Sequence, residues 1–207
     1  MKLIGTLTAL VLGALAFGSG DAVAVPVSYS TFSSQLCVGA SGCGVATQTI
    51  GGAGGITVTF NPVIKTVDAA PLTFDDLGSI TIACVGGGTA CGSQSLAGLN
   101  LFINMAQTAP TVAFGSFAGG VLSGSVSGTT STASISWSQG FIDIGPVNYD
   151  TEFNPLNLVA PSVNSGETVI SAAIDVGSLD VPEPASLGLL ALAALGLVRA
   201  RRVAASA

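Results

Sequence analysis

Carboxylates are the side chains in this sequence whose spacing could support chemistry. Asp143, Asp150 and Glu152 fall within ten positions, and Asp75 adjoins Asp76. Two carboxyl groups can act as acid and base in glycoside hydrolysis, and several, with backbone oxygens, can hold Ca2+. Adjacent residues of a strand point to opposite faces, so Asp75 and Asp76 are expected to act apart, whereas Asp150 and Glu152 would share a face. No D-x-D-x-D-G loop surrounds the second group. Asp143, Asp150 and Glu152 are therefore the candidates for a calcium site, against the plainer reading of solvated loop carboxylates. The chain has no His. That removes Ser-His-Asp and Cys-His catalysis, His-ligated zinc and a histidine pH switch. The residues point to no catalytic group and to no cofactor.

The four cysteines fall as Cys37, Cys43, Cys84 and Cys91. Neither local spacing is C-x2-C, and no His can complete a zinc site. Disulfides are expected instead. Four cysteines allow three pairings, of which the sequential one closes two glycine-rich loops, as at hairpin tips. Trp137, Phe141, Tyr149 and Phe153 could stack against sugar rings, or serve as core and rim. The run Gly51–Gly55 has no following Lys-Ser/Thr, so it reads as a turn and not as a phosphate cradle.

The elements that must carry these residues are strands. Leu99, Leu101, Ile103 and Met105 alternate with Asn100, Phe102 and Asn104, and Ile170, Ala172, Ile174 and Val176 alternate with Ser171, Ala173 and Asp175. Shorter runs occur at Ile56–Phe60, Ile80–Ile82 and Ala133–Trp137, separated by glycine turns. This period of two with frequent turns predicts an all-β body, an antiparallel β-sandwich or jelly roll. A β-helix is the rival, and no fixed repeat period supports it.

Charge is sparse, at 8% of residues, where a typical soluble domain has roughly 25%. Four of the five basic residues, Lys2, Arg199, Arg201 and Arg202, sit at the chain ends. Between positions 25 and 184, Lys65 alone faces ten acids, a side-chain balance of −9. Such a body repels nucleic acid and anionic membrane surfaces, since both require Lys/Arg neutralisation.

The two ends are hydrophobic in different ways. Lys2 precedes an apolar stretch from Leu3 to Phe17, and Ala22-Val23-Ala24 supplies a small-x-small site. Residues 1–24 therefore read as a secretory signal, cut between Ala24 and Val25 by signal peptidase after passage through the Sec translocon. The alternative is an uncleaved anchor, for which the apolar run is short.

At the other end, Val181-Pro182-Glu183-Pro184-Ala185-Ser186 leads into an uncharged stretch, 185–198, and then Arg199-Ala200-Arg201-Arg202. Pro182 and Pro184 hold the chain extended, as a protease requires. As a helix, 185–198 would measure about 21 Å, short of the roughly 30 Å hydrocarbon core. The arginines stop it in the cytoplasm by the positive-inside rule. This stretch resembles the PEP-CTERM sorting signal of Gram-negative bacteria, with Pro-Glu-Pro, short hydrophobic helix and basic cluster in order over Val181–Arg202. Five residues, Val203 to Ala207, follow the arginines where the family's usual tail ends. The resemblance implies an exosortase, a membrane-embedded cysteine protease, as partner. Cleavage would fall near Pro182–Pro184, after transient insertion in the inner membrane. An uncut single-pass anchor is the alternative.

A second resemblance lies in the body. Phe74-Asp75-Asp76-Leu77-Gly78-Ser79-Ile80, the Leu99–Leu101 run, and Phe141-Ile142-Asp143-Ile144-Gly145 with Tyr149 look like the choice-of-anchor β-sandwich domains of exported bacterial proteins. That group implies no catalytic residues. The expected organisation is signal peptide 1–24, β-sandwich 25–180 and sorting signal 181–207. The expected function is that of a non-enzymatic protein of the cell surface or of an exopolysaccharide or biofilm matrix. The alternative is a secreted carbohydrate-binding module or carboxylate-dependent glycoside hydrolase.

Overall fold

The computed structural model describes residues 24–177, apart from 40–41 and 70–71. The chain divides into two units at 177 and 178, and all the described residues belong to the first. It begins with β1 (Val25–Ser30), β2 (Gln35–Val38), β3 (Gly42–Val45), β4 (Thr47–Ile50), β5 (Ile56–Asn61) and β6 (Ile64–Ala69). The long strands follow: β7 (Leu72–Cys84), a short β8 (Gln94–Ser95), β9 (Leu99–Ala109) and β10 (Ala113–Ser123). Then come β11 (Ser125–Val126), β12 (Ser134–Trp137), β13 (Phe141–Ile144), β14 (Val147–Thr151), β15 (Leu156–Asn157) and β16 (Glu167–Val176).

Two antiparallel sheets form a sandwich. The first, of eight strands, runs β15-β12-β10-β9-β1-β6, with β2 also pairing β9 and β3 pairing β2. The second, of six strands, runs β13-β14-β16-β7-β5-β4. Every pairing among these strands is antiparallel, which is the expected sandwich and not the rival β-helix. The alternation read from the sequence is the burial pattern. Leu99, Leu101, Ile103 and Met105 of β9 face Ile170, Ala172 and Ile174 of β16 through one common core, with Val58, Phe60, Ile80 and Ile82. Each inward side chain removes apolar area from water at roughly 25 cal/mol per Å2, which drives the two faces together.

The long strand β7 departs from strict alternation. Its register against β16 shifts between Val169 and Ser171, where Leu77 and Gly78 together oppose one residue. Gly78 has φ +131°, and a Cβ there would lie 2.6 Å from the Asn61 carbonyl oxygen. Only glycine fits that bulge without moving backbone.

Strand direction sorts the loops into two ends. Val25 pairs with Ala69, Asp175 pairs with Leu72, and Val176 pairs with Val147. The chain thus enters the body through β1 and leaves it after β16 at the same end. The opposite end holds both disulfides and glycine-rich loops tied by Gly39 N–H to Gly98 O, Gly92 N–H to Gly54 O and Gly128 N–H to Cys91 O.

Candidate functional site

The only lysine of the body organises the first acidic group. Lys65, on β6 of the eight-stranded sheet, donates to both Asp75 and Asp76, on β7 of the six-stranded sheet. Asp75 also accepts the Asp76 N–H at 2.7 Å. Sequence spacing suggested that the two aspartates act apart. They alternate in the strand as expected, Asp75 pairing with Ala172 and Asp76 with Ser171. However, β5 ends at Asn61, opposite Ser79, so beyond that point the β7 edge is open. The ammonium reaches over that edge to both carboxylates. The single ammonium offsets one of the two negative charges and ties one sheet to the other through one oxygen of each carboxylate.

The second acidic group is not assembled. Asp143, Asp150 and Glu152 are all exposed. Asp143 pairs with Asn148, whose amide donates to its carboxylate at 2.7 Å. Asp150 lies one row away, between Phe141 and Ala173, and Glu152 follows the end of β14 with its N–H on Ser171 O. Among the described residues no three His, Cys, Asp or Glu side chains converge as a metal site requires. On β13 and β14 these acids ride the outer face with Asp175 of β16, a charged surface and not a chelate.

The aromatic residues divide. Trp137 and Tyr149 belong to the core, so they supply no sugar-stacking surface. Trp137 lies 6.0 Å from Phe117 between ring centroids, and its backbone is clasped by Asn154, which accepts its N–H and donates to its carbonyl. Phe141 and Phe153 are exposed. Phe32, Phe74 and Phe114 are exposed as well, and the sequence pattern alone did not single them out. They occupy outward positions of strands or turns, where only the register tells a solvent face from a core face.

The two buried phenols are paired across the core, whereas the buried Trp137 Nε1–H has no hydrogen-bond partner among the described residues. The Tyr29 hydroxyl donates to Asp76 O and the Tyr149 hydroxyl to Gln107 Oε1, each at 2.8 Å. Burial pushes both phenols far above the ordinary tyrosine range, and for Tyr29 the Asp75 charge and Tyr149 add to it.

The cysteines form Cys37–Cys43 and Cys84–Cys91, with no free thiol among the described residues. Of three possible pairings this is the sequential one. Cys37 leaves β2 beside Asn100 of β9, and Cys84 closes β7 beside Ile56 of β5. Both bridges therefore close loops at the end away from the chain's exit.

The remaining candidates lie outside the described residues. They are the leader with Ala22, the sorting residues Pro182, Glu183 and Pro184, the stretch 185–198 and the arginines Arg199, Arg201 and Arg202. Ala24 is described and is exposed, immediately before β1. Among the described residues no helix is long and apolar enough to cross a membrane.

No curated protein and no solved structure matches the chain. Residues 180–202 match the PEP-CTERM protein-sorting motif. The chain therefore carries, behind an all-β disulfide-bonded body, the C-terminal membrane-anchored sorting signal of an exported protein handled by an exosortase.

Proposed function

We propose that this is a non-enzymatic protein of the cell surface or of an exopolysaccharide or biofilm matrix of a Gram-negative bacterium. It is exported through the Sec translocon, freed of its leader by signal peptidase and cut by an exosortase near Pro182–Pro184. The observation that carries the reading is the sorting motif at 180–202, with all three of its parts in order. The body is consistent with that route. It holds two disulfides, as oxidising compartments favour, and its one lysine is spent on internal pairing. Its chain leaves at the end opposite the disulfide-closed loops.

The test is mass analysis of the protein recovered from its host with and without the exosortase. Loss of residues 1–24 is expected in both hosts, and loss of the segment beyond the Pro-Glu-Pro motif only when the exosortase is present. An intact tail through Ala207 in the wild-type host overturns the reading. A carbohydrate-binding or hydrolytic role is the second reading, and the exposed Phe141 and Phe153 favour it. Turnover of any member of a polysaccharide panel, abolished by Asp143→Asn or Asp150→Asn, would establish that reading over the first.

A further inference from the structure

The two outer faces of the sandwich differ in kind. On the six-stranded sheet, Asp143, Asp150, Glu167 and Asp175 all point outward and are exposed. On the eight-stranded sheet, the only charged residues of any strand are Lys65 and Asp68, both on the edge strand β6. Lys65 is turned toward Asp75 and Asp76. Asp68 is thus the sole outward charge on that face, at its rim opposite Pro26.

The strands of the uncharged face and the connections next to them also carry the most exposed large hydrophobic residues of the body. These are Phe114 at 78%, Val112 at 75%, Ile64 at 71% and Phe32 at 64% exposed. Phe114 and Ile64 are distant in sequence and brought into one row by register. Phe114 pairs with Ala106 of β9, Ala106 with Ser30 of β1, and Ser30 with Ile64 of β6. One row thus crosses four strands, its ends about 14 Å apart at the usual strand spacing. Phe32 lies in the turn that follows β1, and Val112 in the connection that leads into β10. An uncharged row with a large exposed apolar side chain at each end, and Ser28, Thr66 and Ser116 beside it, has the character of an interaction surface.

We propose that this face binds a second copy of the same chain. Charge selects the occupant. The body carries one base against eight acids, a side-chain balance of −7, so two copies meeting through the six-stranded sheet would set four carboxylates against four. Meeting through the eight-stranded sheet, a two-fold contact brings no carboxylate row against another and matches apolar row to apolar row. Size agrees. The 48 strand residues of this sheet, each about 3.3 Å along the strand and about 4.8 Å across it, give a face of about 760 Å2. A stable interface needs about 800 Å2 per partner. The contact is sheet on sheet, in the aligned packing usual for sandwiches.

The test uses the protein as the host exports it, in detergent-free buffer, by sedimentation equilibrium at micromolar to tens of micromolar concentration. The wild type is expected at the mass of two chains. The double variant Ile64→Thr/Phe114→Ser is expected at the mass of one, its dissociation constant raised on the order of 100-fold or more. Its melting temperature in the dissociated state should match that of the diluted wild type, because both side chains are exposed. The control Leu72→Ser/Phe74→Ser, on the other sheet, should stay dimeric. A single-chain wild type overturns the proposal, as does a dimer that survives the first variant or is lost in the control. A monomer that binds neutral glycan or vesicles, and loses that binding in Ile64→Thr/Phe114→Ser, would assign the face to another occupant and likewise overturn it.

Discussion

Tyr29 and Tyr149 stand edge to face at the centre of the sandwich, 5.8 Å between ring centroids and 76° between planes, one from each sheet. Each hydroxyl crosses to the sheet that the other ring belongs to, Tyr29 to Asp76 O and Tyr149 to Gln107 Oε1. The pair therefore couples the sheets through ring contact and through two hydrogen bonds of opposite sense. The two bonds are not equivalent. Gln107 is buried, whereas Asp76 is half-buried beside Lys65. Tyr149→Phe strands a buried amide oxygen and should cost about 2 kcal/mol; Tyr29→Phe leaves a carbonyl that water can reach and should cost about 1 kcal/mol. Denaturant midpoints with unchanged slope would measure both. Equal losses would contradict the asymmetry.

The same pair sets the alkaline limit. Both phenols are held neutral in the folded protein well above the ordinary value, because burial disfavours the charged form. In the unfolded chain they ionise near pH ~10. The raised folded values mean that the stabilisation is fully present below that pH. It is lost as pH rises toward the folded values, because only the unfolded state releases its protons. Stability should fall by about 3 kcal/mol by pH 11, on two phenols each contributing about 1.4 kcal/mol per pH unit. Phenolate absorbance should appear together with unfolding and not before it. Titration of both tyrosines with the fold intact would refute this.

Lys65→Met removes the cation that holds Asp75 and Asp76 together. The lysine side chain is 34% exposed, so the loss should be modest, about 1 kcal/mol at neutral pH and low salt. It should shrink in 1 M NaCl, where the screening length falls to about 3 Å. A loss unchanged by salt would point to packing of the lysine stem instead.

Both disulfides should be present in the exported protein, so its unreduced mass should show no free thiol. Replacing either pair by serine, Cys37 with Cys43 or Cys84 with Cys91, should cost about 2 kcal/mol, as expected for short closed loops. Four alkylatable thiols in the native protein would exclude the bridges.

Gly78→Ala tests the bulge in β7. The substituted Cβ meets the Asn61 carbonyl at a backbone angle that side chains rarely adopt. A loss of about 2 kcal/mol or more is expected, larger than Gly88→Ala, whose Cβ would meet nothing within 4 Å. Equal losses at the two sites would mean that the bulge is not strained by a side chain.

Much of this protein was legible from local pattern. Alternation at Leu99–Met105 and Ile170–Ile174 marked strands and their buried faces, because a half-buried strand has a period of two whatever its partner. The spacing of the cysteines favoured local loops. The sorting tail was legible for a different reason. Pro-Glu-Pro, a short apolar run and arginines form a linear signal read by membrane machinery, with no dependence on a fold. Register was not legible, because it depends on which strands meet. Only the tertiary structure placed Lys65 over the open edge of β7, beyond the end of β5, so that two aspartates of opposite faces share one ammonium. Only pairing across four strands gathered Ile64 and Phe114, fifty positions apart, into one uncharged row. It also left Asp143 and Asp150 on an open surface, where sequence proximity alone had made them look like a site. Side-chain type and spacing along the chain determine strands and targeting signals. Convergence of side chains from distant strands is decided by sheet order and register, which long-range packing of the core selects.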